Sequence, residues 1–118
     1  MQRWIEEDWK ELGCTALLTQ NDDVAFQAIQ VLQKAGYSVP EQVSVVGFDN
    51  TSMSTLMHPH ITTVDAGLER VGARAITMLL DKIARSPVES GEKETEMIVL
   101  PPKLIIREST GAAPHNAE

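Results

Sequence analysis

Residues 15–50, "TALLTQNDDVAFQAIQVLQKAGYSVPEQVSVVGFDN", constrain the fold more than any other part of this 118-residue chain. "TALLT" (15–19) is a short apolar run with a threonine at each end, the form of a buried strand. "QNDD" (20–23) supplies residues that cap helices. Ala25, Ala28, Ile29, Leu32 and Ala35 then recur at helical spacing and end at Gly36, a helix stop. Val24, Ala28, Val31 and Ala35 form a second stripe beside the first, so this helix is expected to bury more than one face. A loop, "YSVPEQ" (37–42), leads to a second strand, "VSVVGF" (43–48). Two strands joined by such a helix form a parallel pair with a right-handed crossover. The expected fold class is therefore α/β, a βαβ sandwich on a parallel sheet.

The flanks extend this unit. Residues 2–12 read as a helix with Trp4, Ile5, Trp9 and Leu12 on one side and Gly13 as its stop. Cys14, the lone cysteine, excludes an internal disulfide and is expected to be a small buried filler. "TSMSTLM" (51–57) suggests a short helix capped by Thr51 or Ser52, and "HPHITTV" (58–64) an extended segment. Across 66–85, Leu68, Val71, Gly72, Ala75, Ile76, Leu79, Leu80 and Ile83 share a stripe that needs a partner surface. "SPVESGEKETE" (86–96) is a polar connector. "MIVL" and "KLIIRE" read as strands interrupted by Pro101 and Pro102, which cannot donate to a ladder. Residues 1–110 are expected to form the domain and 111–118 a disordered tail.

The charge balance limits the partners. Seventeen acidic against ten basic residues give a formal net charge of −7. Phosphate neutralisation supplies most non-specific nucleic-acid affinity, so this chain is not expected to hold DNA by itself. No apolar stretch approaches the ~20 residues of a membrane span, and the first residues lack the apolar core of a secretion leader; both favour the cytoplasm.

Asn21 lies just beyond the first strand of the unit and Asp49 just beyond the second. In a parallel pair both side chains emerge at one sheet edge, where open α/β sheets bind ligands. An amide beside an acceptor-only carboxylate suits hydroxyls or ring nitrogens. Spacing alone favours the simpler account that Asn21 or Asp22 caps the helix and Asp49 starts a turn, since Asn and Asp are common in both roles. His58 and His60 could share a strand face, but a metal site needs a third ligand and none is near in sequence. No metal, no cofactor and no catalytic base–nucleophile pair is expected. A receiver-like phospho-acceptor domain is an alternative, with Asp22, Asp23 and Asp49 around Mg²⁺. Such a site needs a lysine just beyond the last strand, whereas Lys103 precedes "LIIR".

The run "ND…A…VP..VSVVGFD", followed by "HPHITTV" and a closing "LPPKLIIREST", resembles the C-terminal part of LacI/GalR-family transcriptional repressors over roughly residues 10–110. That resemblance implies the C-terminal lobe of a two-lobed, type I periplasmic-binding-protein-like sensor, with a small sugar or nucleobase-like effector held between the lobes. It implies ligand contacts for Asn21 and Asp49, and places the helix at 66–85 in the other lobe. It makes 22–36 and 51–58 a homodimer surface, and assigns DNA contact to a helix-turn-helix headpiece that these residues do not contain. A periplasmic-type sugar carrier shares the fold and is the neighbouring alternative. One departure stands out: the stretch after "TTV" in that family often carries a glutamine facing the cleft, whereas Asp65 and Ala66 stand here.

Overall fold

The βαβ unit forms as its pattern requires. Strand β1 (Ala16–Leu18) is followed by a 13-residue helix, Asp22–Lys34, and by strand β2 (Ser44–Phe48), which pairs with β1 in parallel, Leu17 opposite Val45. The structure is a computed structural model that describes residues 3, 5, 9–85 and 96–114, with only the backbone of Lys10. A helical segment precedes β1 and is α1 (Trp9–Leu12), with Arg3 and Ile5 also helical; the crossover helix is α2. Beyond β2 come a 3-10 turn (Ser52–Thr55), strand β3 (Thr62–Asp65), helix α3 (Leu68–Ala84) and strand β4 (Lys103–Ile105). The sheet order is β1-β2-β3-β4, with β2 and β3 parallel and β4 antiparallel to β3.

The core lies where α1 and α2 cover the sheet. Ile5, Trp9, Ala25, Ile29, Leu32, Val39, Val43, Val45 and Ile61 are buried together. Each large aliphatic among them contributes about 1.5–3 kcal/mol relative to an exposed position. In the first expected stripe of α2, Ala25, Ala28, Ile29 and Leu32 are buried, while Ala35 is exposed because it caps the helix. Val24 and Val31, of the second stripe, are half-buried. Gly36, at φ +89°, ends the helix in the left-handed conformation, and the Tyr37 N–H donates to Leu32 O at 3.0 Å. Gly47 has a different duty: a Cβ there would overlap a carboxylate oxygen of Asp22 and lie 3.2 Å from Ile61 Cγ2. Its bare backbone lets the start of α2 close down on β2.

Several expectations are corrected. β1 is not a buried strand: it occupies the sheet edge, and Leu18 is 71% exposed. Cys14 is exposed rather than filling the core, because it leads into that uncovered edge. Leu12 is exposed although Ile5 and Trp9 are buried; Trp4 falls outside the described residues. "MIVL" forms no strand; 96–100 is irregular, with Met97 and Val99 exposed, and pairing begins only after Pro101 and Pro102. Most of the connector (86–95) and the last four tail residues (115–118) are outside the described residues. The start of the tail is held, since the Gly111 N–H donates to Ser44 Oγ at 3.1 Å.

No residue of α3 is buried, and Leu68, Val71, Ile76, Leu79, Leu80 and Ile83 all face solvent. The Cα radius of gyration, 20.7 Å, far exceeds the ~13.5 Å of a compact chain of this length. The helix has the periodicity of a core helix and no core of its own.

The closing "REST" segment stitches the sheet together. Ser109 is fully buried; its N–H donates to His60 O at 3.0 Å, and its carbonyl accepts from Val45 N–H at 2.8 Å. Its hydroxyl donates to Val45 O at 2.5 Å and accepts from Thr62 N–H at 2.8 Å. Removing that hydroxyl strands a buried donor and a buried acceptor. Ser109→Ala is expected to lower unfolding free energy by about 1–3 kcal/mol, read as a fall in the urea midpoint without a change in slope.

Candidate functional site

At the C-terminal ends of β1 and β2 the chain turns twice. Thr19 pins the first turn: its N–H donates to Val46 O at 2.9 Å, and its hydroxyl lies 2.9 Å from Asn21 O and 3.0 Å from Val46 O. Asn21 follows in extended backbone and caps α2, Oδ1 accepting from Val24 N–H at 2.9 Å. The capping role that spacing allowed is therefore real. It uses only the carbonyl half of the amide; the NH₂ donates no hydrogen bond among the described residues.

Asp49 stands at the matching point of β2. Leu18 is paired with Val46, and Asn21 and Asp49 each lie three residues beyond that pair. Adjacent strands are ~4.8 Å apart, so the two residues share one stretch of sheet edge. The Asp49 N–H continues the ladder to Val64 O at 2.9 Å, yet φ is +92° there and +51° at Asn50. Two successive non-glycine residues in the left-handed region are uncommon, although Asp and Asn tolerate it best. Such backbone persists only where its surroundings enforce it. Here the enforcement is visible: the Asn50 N–H donates to Thr63 Oγ1 at 3.3 Å, and Asn50 Oδ1 accepts from Arg107 Nη2 at 2.8 Å. Arg107 is itself fixed, Nη1 donating to Ile61 O and its N–H to Thr62 Oγ1, each at 2.8 Å. The half-buried Asp49 carboxylate accepts no hydrogen bond among the described residues.

Beneath this edge lies a residue that the sequence presented as a cap or as one carboxylate of a receiver-like site. Asp22, with no exposed surface, takes Thr51 N–H at 2.6 Å and the Thr51 hydroxyl at 3.0 Å on Oδ2, and the Thr63 hydroxyl at 2.5 Å on Oδ1. One carboxylate thereby joins the start of α2, the loop after β2 and strand β3. The positive end of the α2 dipole adds to its support. With both oxygens spent, Asp22 is not part of an open carboxylate cluster, which removes the geometry that a receiver-like site requires. Asp65 is likewise committed, Oδ1 accepting from Gly67 N–H at 2.7 Å, so it shapes the turn into α3 where the related family often has a cleft-facing glutamine.

A second group lies at the other end of β3. His58 Nδ1 is 2.7 Å from Glu108 Oε2, which also accepts the His60 N–H at 2.9 Å; His60 Nδ1 is 3.7 Å from Oε1. The His60 N–H first, and then the His58 ring, hold the Glu108 carboxyl below its ordinary range. The third ligand that sequence spacing could not supply is thus Glu108, brought in across some fifty residues by the antiparallel return of β4.

Residues 1–110 match the family described as periplasmic binding protein-like domain. The chain belongs to that family. This periplasmic binding protein-like domain is 38% identical over 96 residues to the NTD biosynthesis operon regulator NtdR of Bacillus subtilis, covering 81% of the chain and 28% of the regulator. It is 36% identical over 95 residues to the HTH-type transcriptional repressor PurR of Pasteurella multocida, covering 80% and 27%. Among solved structures, a LacI family transcriptional regulator from Enterococcus faecium with bound ribose superposes with a TM-score of 0.77 at 31% identity, covering 98% of this domain and 40% of that chain. The resemblance to LacI-type regulators is borne out, and the chain spans less than a third of the curated relatives' length. No helix among the described residues is long and apolar enough to cross a membrane.

The triple attachment at Asp22 sets a graded expectation. Asp22→Ala should cost about 3 kcal/mol or more, since it strands a backbone N–H and two hydroxyls. Asp22→Asn should cost clearly less, because its amide can still accept from Thr51 and donate to Thr63 Oγ1. Urea denaturation of both variants checks the order.

Proposed function

We propose that this chain is the effector-binding and dimerising lobe of a LacI-type transcriptional regulator acting in the cytoplasm. The observation that carries the reading is a pair of polar groups at one sheet edge that have no hydrogen-bond partner among the described residues: the Asn21 NH₂ and the Asp49 carboxylate, each on backbone held in place by hydrogen bonds. A donor and an acceptor side by side suit vicinal hydroxyls, in keeping with the ribose in the Enterococcus structure. A nucleobase edge is the other ligand that the family resemblance allows. Residues 66–85 belong, in this reading, to the opposite lobe, whose surface would cover the exposed stripe of α3. Leu56 and Met57, exposed beside the 3-10 turn, support a homodimer surface there together with α2. Contact with an operator falls to a helix-turn-helix headpiece outside these residues, since a chain of net charge −7 has little attraction for phosphates.

Effector binding would close the two lobes and shift the balance between dimers that fit the operator and dimers that do not. The chain's own residues supply hydrogen bonds, not a reaction. A periplasmic carrier is less favoured, because the relatives above are transcriptional regulators.

The test is effector affinity in the full-length regulator, screened against pentoses, hexoses, disaccharides and nucleobases. Asp49→Ala should weaken the effector that binds by about ten- to a hundredfold, the worth of a charged hydrogen bond, with dimerisation intact. Asn21→Asp keeps the helix cap and replaces the donor NH₂ by an acceptor-only, charged oxygen, so it should reduce affinity while the cap survives. An unchanged Kd in both variants would remove the assignment.

A further inference from the structure

The His58–His60–Glu108 group lies apart from the sheet edge that carries Asn21 and Asp49. His60 precedes β3 and Glu108 follows β4, so the group sits at the N-terminal end of β3, whereas the ligand edge is at the C-terminal ends of the parallel strands. From its chemistry and spacing, we propose that His58, His60 and Glu108 bind a divalent transition metal of the zinc class.

Two imidazoles and a carboxylate make a three-ligand set with a coordination position left for water, and they favour zinc-like ions over Mg²⁺ or Ca²⁺, which want oxygen ligands. Bonds of ~2.0–2.1 Å in tetrahedral geometry place neighbouring donor atoms about 3.3 Å apart. His58 Nδ1 lies 2.7 Å from Glu108 Oε2 and His60 Nδ1 3.7 Å from the other oxygen, Oε1. One donor atom from each of the three residues lies within 4.8 Å of the others, near enough for small side-chain rotations to reach that value. The ligands are also arranged in advance. The imidazole rings stack at 4.2 Å, inclined by 27°, and the His60 N–H fixes the carboxylate from its backbone side. His58 is 74% and Glu108 51% exposed, which leaves an open path for an ion from solvent.

The location gives such an ion a purpose. Glu108 and His60 are 48 residues apart, and between them the chain runs through β3, α3 and β4. A bound ion would tie the entry and the exit of that excursion together at its root. Because the donor geometry exists only in the folded chain, binding would stabilise the fold by an amount that grows with the logarithm of the ion concentration above Kd.

Isothermal titration of Zn²⁺, and separately Mg²⁺, into the tag-free, metal-stripped full chain tests the site, with Co²⁺ absorption as a second reading. The expected result is one Zn²⁺ per chain, no Mg²⁺ binding, and the visible bands of four-coordinate Co²⁺. His60→Ala and Glu108→Gln should each weaken Zn²⁺ by tenfold or more, which is the least that losing even an outer-shell partner costs. Cys14→Ser should leave binding unchanged, and circular dichroism should show the variants folded. Absence of Zn²⁺ binding to the folded chain overturns the proposal, as does binding that survives both ligand substitutions or is lost with Cys14.

Discussion

The bonds made by Asp22 hold together the end of the sheet where β1 and β2 finish. A buried carboxylate is costly unless its lone pairs are filled, and here two threonines and a backbone N–H fill them. Because those donors come from two separate parts of the chain and Asp22 from a third, the carboxylate is satisfied only when α2, the loop after β2 and β3 are all in register. Gly47 is the steric counterpart, since any side chain there would push Asp22 away. The left-handed turn at Asp49 and Asn50 rests on the same frame. Thr63 serves both Asp22 and the Asn50 N–H, so the backbone that carries Asp49 is positioned by the same hydroxyl that anchors α2.

Much of this was legible in the residues. The βαβ unit followed from short apolar runs around a capped, striped helix, and Gly36 marked the helix end correctly. The sheet edge bearing Asn21 and Asp49 followed from parallel pairing alone. Spacing could not separate Asn21 as cap from Asn21 as ligand contact; the structure shows the cap, which leaves the amide NH₂ without a partner among the described residues. The importance of Asp22 was hidden because a carboxylate at a helix start is ordinary, and its partners Thr51 and Thr63 lie 29 and 41 residues away.

Failures came where local pattern met long-range context. "TALLT" has the composition of a central strand, but composition does not say which neighbours a strand finds, and β1 is at an edge. Cys14 is exposed for the same reason. "MIVL" is apolar enough for a strand, yet the two prolines after it postpone pairing until Lys103. Glu108 could not be joined to the histidines by any spacing rule, because the antiparallel return of β4 sets that contact. The "REST" sequence carried the family likeness, and its physical content emerged only in three dimensions: Arg107 clamps the Asn50 turn and Ser109 bonds to two strands.

The excursion from Asp65 to Lys103 has a mechanical consequence. Its two feet stand directly opposite each other on β3 and β4, so α3 is joined to the sheet through a narrow two-strand fulcrum. A 17-residue helix is about 25 Å long, and tilting such a lever by ~10° sweeps its tip through about 4 Å. Angular changes too small to disturb the hydrogen bonds of Asp22 or Ser109 are thereby magnified into side-chain-sized displacements far from the sheet.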